Sequence, residues 1–447
     1  AGAQREGQDE GAKLDSMTRA TISAVLLCSV YASVFCIAQQ PASTSKRLPA
    51  PKGKYAVARI GYDWVDRSRP EPLSKVPNAH REIMVYVWYP AERGRKSKAA
   101  EYLPGVQTIA KSSEGGSMKD FWGDNWDLVV SGRIETDTSE TSPIAEGKEL
   151  FPLIVFSPGL GDPSTAYTAL IEEVVSHGYI VASIEPTYEV PAVAFPDGRV
   201  IPSSEAATGR NLPVIPGEPR EKWLQRLHAV DAPHLDKWAA DVRFAIDQIT
   251  SLNVAGNNAA PFSGRVDLNN IAAWGHSFGG RAAPRACQVD QRIKGCLNAD
   301  GLGRDGPIFA YEGASLPSQP FLWMEVFHEP PTDAQLAPYK MTRKDWDKNH
   351  QTQLAVDEQE LRACPGGSYH VSIDLPGIEH SSFTDVPLIE SEKKEDIDNA
   401  VRSLSVIEDY TIAFLDRYLK QGKSELLDAT TVRPAGVVLE TFPPTPR

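Results

Sequence analysis

The chain has 447 residues, with 46 Lys+Arg against 59 Asp+Glu for a formal charge of -13, and 41% of it is hydrophobic. That is enough apolar material for a sizeable packed core, and 33 Gly with 35 Pro stay below the level of low-complexity disorder. An acidic chain without a run of Lys or Arg is not built to neutralise phosphates, which argues against nucleic acid as a partner.

The N-terminus reads as an address. Residues 1–16 are polar and are expected to be an upstream extension outside the native mature protein. From Met17 a basic Arg19, an apolar run to Ala38 and the polar Gln39-Gln40-Pro41 give the pattern of a signal peptide over 17–38, cleaved after Ala38. A secreted or periplasmic protein is expected, without stable membrane insertion after cleavage. Phe35 is bulky where lipidation of Cys36 needs a small residue. Once Cys28 and Cys36 have left, Cys287, Cys296 and Cys364 remain, so at most one disulfide can form. Buried free thiols are the expectation.

Residues 39–50 are expected to form a disordered leader, 51–425 a single domain and 426–447 a tail. Within the domain, Tyr55–Val65 and Arg81–Tyr89 alternate as antiparallel strands do. Phe151–Ser157, Tyr179–Ile184, Ile271–Trp274, Ile293–Asn298 and Pro320–Val326 are continuous apolar runs, the pattern of buried parallel strands, and Ser368–Asp374 fits a further strand. Ser164–Ser176, Lys237–Ser251 and Asp396–Leu419 carry apolar residues at helical spacing. This alternation predicts an α/β fold with a mostly parallel central sheet flanked by helices. Three stretches break the rhythm, 104–149, 187–235 and 329–366. They are expected as long irregular insertions clustered over one end of the sheet as a lid region, with Phe195, Trp223, Tyr339 and Trp346 available for substrate contact.

The chemistry starts at Gly275-His276-Ser277-Phe278-Gly279, a G-x-S-x-G directly after an apolar strand and before a small-residue helix. A tight strand-to-helix turn leaves no room for side chains two positions either side of the serine, and Gly275 and Gly279 meet that demand. Ser277 is thereby the expected nucleophile, backed by a helix N-terminus that favours developing negative charge.

Such a serine needs a base and an orienting acid further along the chain. Of the later histidines, His380 lies in a turn-rich segment just after the last predicted strand, where a base must sit. His370 falls inside that strand, and His328 and His350 border or lie in an irregular stretch. Two positions compete for the acid. Asp300 follows the strand 293–298, whereas Glu325 and Glu329 flank the end of the next one. Spacing alone does not choose. Upstream, Pro158-Gly159-Leu160-Gly161 ends the strand 151–157, where a backbone N-H can face an oxyanion; the N-H of Phe278 is the second such donor.

These residues resemble a known family. Phe156-Ser157-Pro158-Gly159-Leu160-Gly161, His177-Gly178-Tyr179-Ile180-Val181-Ala182, Gly275-His276-Ser277-Phe278-Gly279-Gly280 and the spacing of 23 from Ser277 to Asp300 look like the platelet-activating factor acetylhydrolase family of α/β-hydrolases. The likeness spans roughly residues 50 to 420 and suggests a bacterial-type secreted member, whose long loops depart from the eukaryotic ones. It implies Asp300 rather than Glu325 as the acid, oxyanion donors at Leu160 and Phe278, no metal or other cofactor, and hydrolysis of short-acyl esters. The implied partner is a small-molecule ester or phospholipid-like substrate. A polyester, lactone or peptide hydrolase would share the same elbow, and an inert binding protein on this scaffold would normally have lost one of the three side chains.

Overall fold

The computed structural model describes residues 45–94, 97–208, 215–254, 260–301, 316–428 and 430–444. The upstream extension and signal peptide expected at 1–38, with Cys28, Phe35, Cys36 and Ala38, lie outside these residues, as does the leader up to residue 44. Among them no helix is long and apolar enough to cross a membrane.

Ten strands form one sheet: β1 (Ala56–Pro70), β2 (His80–Ala91), β3 (Thr138–Glu140), β4 (Phe151–Ser157), β5 (Ile180–Glu185), β6 (Val266–His276), β7 (Ile293–Ala299), β8 (Phe321–Val326), β9 (Ser368–Ile373) and β10 (Val437–Phe442). Their order across the sheet is β10-β9-β8-β7-β6-β4-β5-β2-β1-β3. From β5 to β9 the neighbours are parallel, while β2 runs antiparallel to both β1 and β5. This is the α/β-hydrolase arrangement.

The apolar runs explain why the middle strands are central. Every residue of β4 and of β5 is buried, which is possible only where both faces of a sheet are covered. Successive side chains serve opposite layers: Ile154 and Phe156 enter one core, Leu153 and Val155 the other. On the first side lie α1 (Thr168–Ser176) and, of the longer helices introduced below, α5 (Lys394–Leu419), through Leu170, Val174, Ile407 and Phe414. On the second lie α2 (Arg220–Leu252) and α3 (Phe278–Val289), through Val242, Ile246, Ala283 and Ala286. Each fully buried Leu, Ile, Val or Phe in these layers contributes roughly 1.5–3 kcal/mol.

Several expectations need correction. The stretches 104–149, 187–235 and 329–366 are not irregular. The first holds helices Val106–Lys111, Gly116–Trp122 and Trp126–Val130, and also β3; the second holds a hairpin (Ala192–Ala194 with Val200–Pro202) and the first half of α2; the third holds α4 (Arg343–Ala363). Nor do all three rise from one end of the sheet. The stretch 104–149 follows β2, whose antiparallel course delivers the chain to the amino ends of the parallel strands. The other two follow carboxyl ends, and they meet where the Gly217 amide donates to the Tyr339 carbonyl at 3.2 Å.

The expected leader is ordered from its later part, since Lys46–Arg47 pairs in parallel with Ile134–Glu135 and Leu48 is buried. The expected tail supplies β10, antiparallel to β9. The thiols at Cys287 and Cys296 are not free: they form a disulfide, with Cα atoms 6.5 Å apart. Residue 287 sits near the end of α3 and residue 296 in the middle of β7, and packing of the helix on that strand brings them together. Cys364 is buried and free.

Candidate active site

Strand β6 ends at His276 and α3 begins at Phe278, so Ser277 is the single residue that reverses the chain. Its backbone sits at φ 54°, ψ -120°, a strained conformation for a residue with a side chain. The turn survives because the neighbours are glycines. A Cβ on Gly275 would lie 2.2 Å from the Gly279 carbonyl oxygen, and one on Gly279 would lie 2.2 Å from that of Ser157. The Ser277 amide is tied to the Ala299 carbonyl at 2.9 Å, fixing the elbow to the end of β7.

One step beyond that end stands Asp300, also at positive φ (50°). Its amide donates to Met324 O at 2.7 Å, and its Oδ1 accepts the Val326 amide at 3.2 Å. The remaining oxygen, Oδ2, lies 2.5 Å from Nδ1 of His380, on the 3₁₀ turn His380–Phe383. Burial alone would raise the Asp300 pKa; hydrogen bonds from His328 and His380 outweigh it and hold the carboxyl well below its usual range. For His380, burial works against the charge, and the Asp300 hydrogen bond and charge outweigh it, so its pKa is raised. Such a pair fixes the tautomer: Nδ1 carries the proton for Asp300 and leaves Nε2 as the basic nitrogen.

Glu325 is placed elsewhere. Its Oε1 is 3.4 Å from Nε2 of His370, whose Nδ1 contacts Glu440 at 3.0 Å while its ring stacks on Trp323. The strand histidine and the rival acid thus partner each other, away from His380.

Leu160 lies in the turn after β4. The amides around it are occupied: Gly159 donates to Tyr167 Oη, Gly161 to the Glu189 carbonyl and Asp162 to the Gly159 carbonyl. The Leu160 amide makes no hydrogen bond among the described residues. Its side chain packs with Phe278, Ala282, Leu235 and Trp238, the indole meeting the Phe278 ring edge-on at 5.1 Å. Helix α2 therefore supplies the apolar wall beside the elbow. Two of the aromatics expected to reach substrate from the insertions are engaged in packing within the protein. Phe195 is in the core, lining a cavity of about 450 Å³ with Arg59 and Tyr86, and Trp346 stacks on His350.

Sequence reasoning missed four contributors. His328 Nε2 lies 3.4 Å from Asp300 Oδ2, so one carboxylate oxygen faces two imidazoles. The signal was its position two residues past the end of β8, at the carboxyl edge where functional loops gather. The others form a chain. His276 Nε2 contacts the His380 carbonyl oxygen at 3.1 Å, its Nδ1 contacts Tyr167 Oη at 2.8 Å, and Tyr167 Oη contacts Asp162 Oδ2 at 2.8 Å. Burial, and next the charge of His380, push the His276 pKa down to about 3. His276, Asp300 and His380 bring donor atoms within 4.8 Å of one another, a spacing that a cation can use. Both nitrogens of His276 and the facing atoms of the Asp300–His380 pair already have partners, so the set fits proton transfer better than metal ligation.

Residues 41–195 match the family described as platelet-activating factor acetylhydrolase, isoform II. The platelet-activating factor acetylhydrolase of Cavia porcellus is 25% identical over 368 residues, covering 78% of this chain and 72% of that protein. A probable 1-alkyl-2-acetylglycerophosphocholine esterase of Arthroderma benhamiae is 24% identical over 377 residues, covering 82% and 83%. Over these spans the chain is similar to the platelet-activating factor acetylhydrolase family. It is an esterase. A solved ferulic acid esterase from Streptomyces cinnamoneus shares the fold of this chain, with a TM-score of 0.61 at 24% identity, over 89% of this chain and 99% of that one.

Proposed function

We propose that the protein hydrolyses short-acyl carboxylic esters through Ser277, His380 and Asp300 and an acyl-enzyme intermediate. The observation that carries this reading is the 2.5 Å contact between His380 Nδ1 and the buried Asp300, beside a serine held at positive φ at the head of a helix. His380 Nε2 takes the Ser277 proton as the hydroxyl attacks the ester carbonyl. The Leu160 and Phe278 amides hold the oxyanion, the alcohol leaves with the proton from His380, and water then cleaves the acyl-enzyme by the same path. Asp300 keeps the imidazole in the competent tautomer and stabilises the imidazolium.

The similarity to the acetylhydrolases and the wall beside the elbow support this substrate class. Leu160, Phe278, Leu235 and Trp238 form a small apolar patch, suited to an acetyl or similarly short group, with a phospholipid-like alcohol on the other side of the ester. Each methylene that a site accommodates adds up to about 0.8 kcal/mol, so a long-chain lipase gains steadily with length. Here kcat/KM on p-nitrophenyl esters is expected to peak at or below about six acyl carbons and to fall clearly by about twelve, since added methylenes outgrow the patch. A profile still rising at dodecanoate would contradict the short-acyl reading and place the protein among lipases.

A further inference from the structure

The chain from Asp162 to His380 holds more hydrogen-bonding positions than a charged carboxylate allows. Its last link is fixed, because the His380 carbonyl oxygen can only accept; Nε2 of His276 must carry a proton there. A neutral ring then has a bare lone pair on Nδ1, so the proton between it and Tyr167 belongs to the phenol, which donates to His276 at 2.8 Å. The phenol has no second proton. Its oxygen accepts the Gly159 amide at 3.0 Å, and Asp162 Oδ2 stands 2.8 Å away on another side. Two acceptors at that distance repel unless one holds a hydrogen. Either the proton sits on Asp162 or it has moved along the chain to make His276 an imidazolium. The second arrangement buries a cation against the base that must itself become cationic during turnover, and burial and the charge of His380 oppose it.

We propose that Asp162 is held as an uncharged carboxylic acid and acts as a positioning residue, tying the Leu160 turn to the His380 turn through Tyr167 and His276. This rests on the function proposed above. A second feature shows how closely the carboxyl is fitted: it lies against the bare Cα of Gly159, where a Cβ would come within 2.3 Å of Asp162 Oδ2. Asp162 also stands two residues past Leu160, in the same turn. An ionised carboxylate at that place would oppose the negative charge that the Leu160 amide is meant to hold, whereas the neutral acid leaves the field of the amides intact.

The groups facing Asp162 are Tyr167 and His276 in contact, with His380 and Glu185 further off; no Arg or Lys among the described residues pairs with it. Burial raises its pKa; a phenol proton turned to Asp162 would lower it, but that proton is committed to His276, so the charge of His380 is the effect that opposes burial. The acid form is therefore present below that raised pKa and is lost as pH rises through it.

The test compares D162A and D162N with the unaltered protein. D162A is expected to lower kcat on p-nitrophenyl acetate about tenfold with little change in KM, the effect of one lost hydrogen bond in the relay. D162N, whose amide still donates to Tyr167, recovers most of that loss and keeps its activity at alkaline pH where the unaltered protein declines. Infrared difference spectra between the unaltered protein and D162N, at the pH of greatest activity, should show the loss of an unionised carboxylic acid band. Loss of a carboxylate band instead, or D162N as impaired as D162A, would overturn the proposal. The infrared readout involves no turnover, so its failure is distinct from failure of the esterase reading.

Discussion

Ser277→Ala is expected to lower kcat on p-nitrophenyl acetate by at least about 10⁴-fold, down to what binding and the oxyanion donors supply alone. The reason lies in the geometry of one residue. The turn between β6 and α3 gives only position 277 the strained backbone that lifts a hydroxyl clear of the sheet, and His276 beside it is committed to Tyr167 and the His380 carbonyl. The fold should survive, because Ser277 is only partly buried, and the turn is held by its backbone bond to Ala299 and by the close glycine contacts. Steady-state kinetics with a circular dichroism spectrum check this. A folded variant retaining more than about 1% of the original kcat would remove Ser277 from the role of nucleophile.

Asp300→Asn is expected to cost about 10³- to 10⁴-fold in kcat, since an amide in place of the carboxylate no longer dictates which nitrogen of His380 carries the proton. Glu325→Gln should cost less than about tenfold, because Glu325 faces His370. A pH profile adds a second readout with a definite sign. The base must be neutral, so activity is lost as pH falls through the pKa of His380, which the hydrogen bond and charge of Asp300 raise against the effect of burial. Without that carboxylate the acid limb of the residual activity moves to lower pH. If Glu325→Gln were the more damaging change, the orienting acid would be the one at the end of β8.

The pattern of success along the sequence has physical causes. Phe151–Ser157 was legible to the residue because a strand buried on both faces must be continuously apolar. The tight elbow at Ser277 was legible because its constraint is local: strand, glycine, serine, glycine, helix. Which acid meets His380 was not, since Asp300 and Glu325 both stand at the carboxyl ends of strands. What separates them is which oxygen meets His380 across 80 residues of chain, and periodicity carries no information about that. Helix α4 was hidden because one buried stripe reads Gln353, Asp357, Leu361; two of its three members are polar and satisfy each other through a 2.6 Å hydrogen bond. Strand β10 was read as tail because its buried ends, Val437 and Phe442, are separated by exposed and partly exposed residues on a sheet edge. The Cys287–Cys296 bond depends on how a helix packs on the following strand, which a spacing of nine residues does not reveal.

The site is most directly tested by labelling the protein with a fluorophosphonate and locating the adduct by peptide mass spectrometry. One adduct per chain, on Ser277 alone, accompanied by loss of ester hydrolysis and absent in Ser277→Ala and strongly slowed in Asp300→Asn, is the expected result. An adduct on another residue with activity lost, or a fully labelled Ser277 with ester hydrolysis intact, would contradict the assignment of Ser277, His380 and Asp300 as the hydrolytic centre.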